Sequence, residues 1–136
     1  MSGLAGAVLD ASALLAYLQG EPGSNEVSDA ILTGAHISAV NWAEVLTKLA
    51  DRGRPPREVS TTLENLGILG SGLIVEVVDA DLARMIAELR EPTKRAGLSL
   101  GDRACLALGS LLDLPVLTTE RVWKDLDLGL DIRTLR

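Results

Sequence analysis

A chain of 136 residues with 19 acidic and 13 basic side chains, net −6, is one domain by length (1–136), and its acidity argues against non-specific nucleic-acid binding through a broad basic face. Its 47% apolar content supports an aliphatic core without disulfides, and no apolar run approaches the ~18 residues that span a bilayer. The start, Met1 to Ala7, lacks the basic stretch of a secretory signal, so the cytoplasm is the expected compartment.

Ala7 to Leu9 reads as a buried strand closed by Asp10, followed by a helix from about Ser12 to Leu18. Glu21-Pro22-Gly23 breaks it, and a second helix runs near Ser24 to Leu32. Ala35 to Ser38 is a second strand, begun by the lone histidine, His36, for which a structural or surface role is expected. The next helix carries Ala39, Trp42, Ala43, Leu46, Leu49 and Ala50 at i, i+3, i+4, i+7 spacing, a stripe for the core. Glu44 lies off that stripe and has Lys48 four residues on as an exposed ion-pair partner. Arg52-Gly53-Arg54-Pro55-Pro56 ends the helix, and Pro55 or Pro56 opens another to about Leu66.

Leu73 to Val78 is a third strand. Asp79 suits the N-cap of a helix over Leu82 to Leu89, which Glu91-Pro92 breaks. Ser99 to Leu112 is the next helix, opened by Ser99-Leu100-Gly101-Asp102 at capping-box spacing and holding the single cysteine, Cys105, as a packed thiol. Val116 to Thr118 is a fourth strand, Arg121 to Asp125 a short helix and Asp131 to Thr134 a short last strand. The alternation predicts an α/β fold with a mostly parallel sheet and helices on both faces.

Four acids, Asp10, Glu44, Asp102 and Glu120, each fall where a strand ends or a helix begins. In open α/β sheets ligand sites form at the carboxyl ends of the strands. Carboxylates gathered there repel one another unless a positive charge sits between them, and Mg²⁺ or Mn²⁺ is the simplest candidate for all-oxygen ligands. Each acid also has an ordinary role: Asp10 or Ser12 as a helix cap, Asp102 in the capping box, Glu120 at the positive end of a short helix. The functional case therefore rests on the four together. Without a His or Cys cluster a zinc site is not expected, and no Ser–His–Asp triad, P-loop or GxGxxG is present. Bases cluster at Arg52, Arg54 and Arg57 and at Lys94-Arg95. With Tyr17, Trp42 and Trp123 as the only aromatics, RNA would be read by backbone and shape rather than by stacked bases.

These segments resemble a known family. Val8-Leu9-Asp10-Ala11-Ser12 looks like the opening of PIN-domain nucleases, with an Asp and a Ser or Thr two residues on. Ser38-Ala39-Val40-Asn41-Trp42-Ala43-Glu44 resembles their second motif, Leu98-Ser99-Leu100-Gly101-Asp102-Arg103 the third, and Val116-Leu117-Thr118-Thr119-Glu120 the fourth. One departure is Glu120, where the family usually has Asp. Size and motif order most resemble VapC-type toxins. The resemblance implies a PIN-like three-layer α/β/α fold with strand order 3-2-1-4-5, and a Mg²⁺-dependent endoribonuclease (Mn²⁺ as a substitute). In it Asp10 and Asp102 hold the metal, Glu44 and Glu120 complete the catalytic pocket, and Ser12, Asn41 and Thr118 orient the carboxylates. Lys94, Arg95 and Arg103 are candidates for the RNA backbone. The resemblance also implies a VapB-type antitoxin, a homodimer, tRNA or ribosomal RNA as substrate, and no direct DNA binding. Two rivals are a PIN-like binding module with weak catalysis, which the preserved acids count against, and a phosphoryl-transfer domain of the haloacid-dehalogenase or receiver kind built on Asp10. The former kind carries an acid where this chain has Ser12, and the latter has paired acids before its Asp and a late Lys, neither pattern being clear here.

Overall fold

In the computed structural model, which describes residues 6–136, five short strands form one wholly parallel sheet in the order β3-β2-β1-β4-β5. The reading of a leaderless start falls largely on residues 1–5, outside the described residues. The strands are β1 (Ala7–Leu9), β2 (Ala35–Ser38), β3 (Leu73–Glu76), β4 (Val116–Thr118) and β5 (Ile132–Thr134). Helices α1 (Ala11–Leu18) and α2 (Ser24–Thr33) link β1 to β2, and α3 (Ala39–Asp51) and α4 (Pro56–Asn65) link β2 to β3. Helices α5 (Ala80–Glu88), α6 (Arg90–Thr93) and α7 (Leu100–Leu112) link β3 to β4, and a 3₁₀ turn (Arg121–Asp125) precedes β5.

Side chains of a strand alternate between faces, so neighbours in sequence serve different cores. Leu9 and Leu117 point into a core closed by α1 to α4, with Leu14, Val27, Ile37, Val45, Leu49, Val59 and Leu63. Val8 and Val116 point into the opposite core, closed by α5 and α7, with Leu82, Ile86, Leu106, Leu108 and Trp123. The sheet is thus the middle of three layers, as the resemblance implied. Among the described residues no helix is long and apolar enough to cross a membrane.

The helix starts follow the capping residues. Asp10, Ser38, Asp79 and Ser99 each accept a bond from the amide three residues on. Three details differ from the sequence reading. Strand β3 stops at Glu76 rather than Val78, because its partner β2 ends at Ser38, paired with Glu76, and turns into α3; Val77 is left exposed. Glu91-Pro92 does not break the chain but lies inside α6, since Pro92 sits in the first turn, where a missing N–H costs nothing, and Thr93 Oγ1 donates to the Leu89 carbonyl at 2.6 Å. The buried line of α3 is Asn41, Val45 and Leu49, with Trp42 and Leu46 half-buried and Ala43 and Ala50 exposed. A buried polar residue, Asn41, leads that line, so apolar spacing alone rotates the helix. Glu44 then borders the packed face, and the expected Glu44–Lys48 ion pair is not among those formed by the described residues.

Candidate active site

Strands β1 and β4 lie side by side where the strand order reverses. At their carboxyl ends opens a cleft of about 240 Å³ lined by all four acids, Asp10, Glu44, Asp102 and Glu120, together with Ser12 and Asn41. The topology therefore gathers residues more than a hundred positions apart in sequence, which is what a site at a switch point requires.

Asp10 is buried, with 5% of its surface exposed. Its Oδ1 accepts from the Ala13 amide at 2.8 Å and the Ser12 hydroxyl at 2.7 Å, and its Oδ2 accepts from the Thr118 hydroxyl at 2.6 Å. Ser12 Oγ in turn accepts from the Thr119 amide at 3.0 Å, and Thr118 Oγ1 from the Glu120 amide at 3.0 Å. One carboxylate thus caps α1 and ties its first turn to the end of β4. Burial pushes Asp10 up from 3.8 to about 6; the bonds from Thr118, Ser12 and Ala13 pull the other way, and the charge of Asp102 adds to the rise. The Cys105 thiol, packed in α7, is pushed well up by burial first and then by the charges of Asp10, Asp102 and Glu44. It is a core thiol, not a nucleophile.

Asp102 closes a capping box. Its Oδ2 accepts from the Ser99 amide at 2.9 Å while its own amide donates to Ser99 Oγ at 3.1 Å. Glu44 is seated by Asn41, which is buried and fully engaged. The Asn41 Oδ1 accepts from Ser38 Oγ at 2.7 Å, and its Nδ2 donates to Glu44 Oε1 at 2.8 Å and to the Gly101 carbonyl at 2.9 Å. A Cβ built on Gly101 would stand 2.5 Å from Glu44 Oε1 and 2.7 Å from its Oε2. The carboxylate of α3 therefore rests on the bare backbone of α7. Glu120 is exposed at the N-cap position of the 3₁₀ turn, and its side chain makes no capping bond.

The candidate RNA-holding bases are placed differently. Lys94 and Arg95 are exposed in the turn after α6 and do not line the cleft. Arg103 is turned into the protein, where Nη1 donates to the Ile86 carbonyl at 3.0 Å and Nε is buried with no partner among the described residues. It braces α7 against α5. The cleft instead presents Lys48, Arg52 and Arg136, with Gln19 and Glu21. By sequence Lys48 reads as an ion-pair partner, Arg52 as one of a basic cluster, Glu21 as part of a helix break and Gly101 as part of a capping segment. None of them is placed at the site by that reading, and Gln19 and Arg136 are not singled out. The signal for the bases was the spacing Glu44, Lys48, Arg52, four residues apart along α3 and its C-cap.

The donor set suits a hard cation. The acids in the cleft offer only carboxylate oxygens, with no His or Cys beside them. Among the described residues Asp102 Oδ1 and Glu44 Oε2 have no protein partner, and three donors leave Asp10 spare acceptor capacity. No three such side chains among the described residues converge tightly enough to form an ion cage by themselves.

The family model of the PIN domain matches residues 7–128. No curated protein sequence is found to match the chain. Among solved structures, a toxin–antitoxin complex from Klebsiella pneumoniae is similar at TM-score 0.72 and 22% identity, covering 96% of this chain and 98% of that one. VapBC2 from Rickettsia felis, solved bound to a DNA fragment from its promoter, is similar at TM-score 0.72 and 13% identity, with 96% and 98% covered. VapC20 of Mycobacterium tuberculosis, described as a sarcin–ricin loop cleaving toxin, is similar at TM-score 0.68 and 18% identity, with 87% and 92% covered.

Gly101→Ala should change stability by less than about 1 kcal/mol, because its methyl meets only the end of the Glu44 side chain, which can swing away, and alanine is the better helix former. Urea denaturation of Gly101→Ala, Glu44→Ala and the double variant checks this; the methyl should become net stabilising once Glu44 is truncated, and a loss above about 2 kcal/mol in Gly101→Ala alone would refute it. Asp10 holds its proton more tightly folded, at about 6, than at its ordinary 3.8. Its contribution to stability is therefore present below about pH 4, is lost as pH rises to about 6, and amounts to about 3 kcal/mol. In chelator, Asp10→Asn should gain stability over wild type between those values, and a constant difference across the range would refute the assignment. Added Mg²⁺ near neutral pH should raise the wild-type Tm and leave Asp10→Asn almost unmoved.

Proposed function

This chain belongs to the PIN-domain family, and on that premise we propose that it is a single-domain Mg²⁺-dependent endoribonuclease, with Mn²⁺ as a substitute, acting as the toxin of a VapBC-type pair. The observation that carries the reading is the convergence of Asp10, Glu44, Asp102 and Glu120 on one cleft at the switch point. Asp10 and Asp102 would hold the ion. When bound, a divalent cation lowers the pKa of a coordinated water and neutralises charge developing on phosphate oxygens.

The chain's own residues do the rest. Ser12, Ala13 and Thr118 keep Asp10 in one orientation, and the capping box does the same for Asp102. Asn41 aims Glu44, whose free Oε2 is the acceptor placed to orient the attacking water and take its proton. Glu120 lines the same cleft and would act through a bridging water. RNA of the tRNA or ribosomal class is the proposed substrate, a choice supported by the cleavage ascribed to VapC20. The similar toxin–antitoxin complexes support a VapB-type partner, and the DNA-reading function is assigned to that partner rather than to this chain. An antitoxin segment with apolar anchors and an Arg would compete with the cation for the carboxylates. A homodimer in the cytoplasm completes the proposal.

The test is cleavage of cellular RNA over Mg²⁺ and Mn²⁺ series, with 5′-end sequencing to find the sites. Asp10→Asn and Asp102→Asn should each remove cleavage while the variant stays folded; a fully active variant would strike that residue from the site. No cleavage with either ion by the wild type would favour the partner-binding module instead. Glu120 is tested separately. Acting as a fourth acid, Glu120→Asp retains activity and Glu120→Gln lowers it and weakens the Mg²⁺ response. Acting only at the turn, Gln costs about 0.3–1 kcal/mol of stability and leaves single-turnover cleavage alone.

A further inference from the structure

We propose that Lys48 on α3 and Arg52 at its C-cap hold the phosphates of a single RNA strand next to the one being cut, with Arg136 on the wall at the end of α1. The inference rests on the ribonuclease reading and adds to it how substrate is engaged.

Glu44, Lys48 and Arg52 all line the cleft and recur every fourth residue. On α3 that spacing sets Lys48 one turn beyond Glu44, about 6 Å along the axis, and Arg52 follows at the C-cap, just past the helix end. That step is of the order of the phosphate spacing in an extended strand. Both α1 and α3 begin at the carboxyl end of a strand, at Asp10 and Ser38, so their later residues lie progressively farther from the acids. The cleft is acidic where the helices start. Toward their far ends it carries Lys48 on α3 and Arg52 at its C-cap, while the wall at the end of α1 carries Gln19 and Glu21. Arg136 joins that wall, with Nη2 donating to Glu21 Oε1 at 3.1 Å and Nε to the Pro22 carbonyl at 3.1 Å.

Lys48 and Arg52 are exposed and enter none of the ion pairs found among the described residues. Glu44, the natural partner for Lys48, is turned instead to Asn41. Two unpaired cations in register therefore follow directly from the acid end. No aromatic side chain lines this cleft, and Trp123 is buried in the opposite core, so the contact is to backbone charge and not to stacked bases. A polyanion with one charge per residue matches such a ladder better than a peptide, whose acids have no fixed spacing.

Binding of a labelled oligouridylate, followed by anisotropy over a salt series with Ca²⁺ in place of Mg²⁺, tests the proposal without cleavage. Lys48→Ala and Arg52→Ala should each weaken binding several-fold and lower the slope of log K against log salt by about 0.7 per charge removed. Lys48→Arg should restore the slope. An unchanged slope in the double variant would overturn the proposal, as would an equal loss from Lys94→Ala with Arg95→Ala, or a loss confined to antitoxin binding. Mg²⁺-dependent cleavage by the wild type, measured alongside, judges the ribonuclease reading by itself, since it does not depend on where the strand is gripped.

Discussion

The buried carboxylate of Asp10 is the constraint from which the rest of the site is built. Ser12, Ala13 and Thr118 converge on it from a helix start and a strand end that are neighbours only because β1 pairs with β4. Those bonds begin α1, lock it to the end of β4 and fix a negative charge at the switch point. A carboxylate with three donors in a wet setting would titrate below its ordinary value. This one is raised to about 6, so burial outweighs its hydrogen bonds. The charge is held rigidly and remains under-stabilised, the condition in which an added cation gains most.

The other wall is positioned by different means. Glu44 is only half-buried, and it is placed from behind by Asn41 and from below by the missing side chain of Gly101. Because Asn41 also grips the Gly101 carbonyl, α3 and α7 share one polar contact that sets two acids at once, Glu44 through its Oε1 and Asp102 through the helix start. Asp102 and Glu44 each give one oxygen to the protein and leave the other free. Capping and ligand roles are therefore compatible; under the proposed reading the capping bond orients the oxygen left for the ion.

Much of this was legible in the sequence because it is local. The caps at Asp10, Asp79 and Ser99 lie three residues from the amides they bind, and the alternation of strands and helices carries the sheet. The strand order came from the likeness of four motifs to the PIN family, not from periodicity. What was hidden depends on contacts between elements. Asn41 leads the buried line of α3 only because its partner is a carbonyl on α7, so a polar residue was invisible to an apolar pattern. The space above Gly101 exists only once α3 lies across it. Arg103 looks like a surface base beside Asp102, yet helical geometry turns it toward the end of α5. Lys94 and Arg95 precede Asp102 closely in sequence, but the turn between α6 and α7 keeps them out of the cleft.

A net charge of −6 suits a polyanionic substrate only if attraction is local. At physiological ionic strength charges more than about 8 Å away are largely screened, so a strand in the cleft responds to the groups within it. Under the proposed reading those are the four site acids, two free cations, the Glu21–Arg136 pair and the metal. Without the metal the acid end repels phosphate, so ion and RNA must strengthen each other's binding, and linkage makes that effect reciprocal. A peptide bringing its own guanidinium would neutralise the same carboxylates with no room left for the ion. Ion and peptide would then exclude one another by charge and volume alone, so silencing the site would need no rearrangement of the frame that Asp10, Asn41 and Ser99 hold in place.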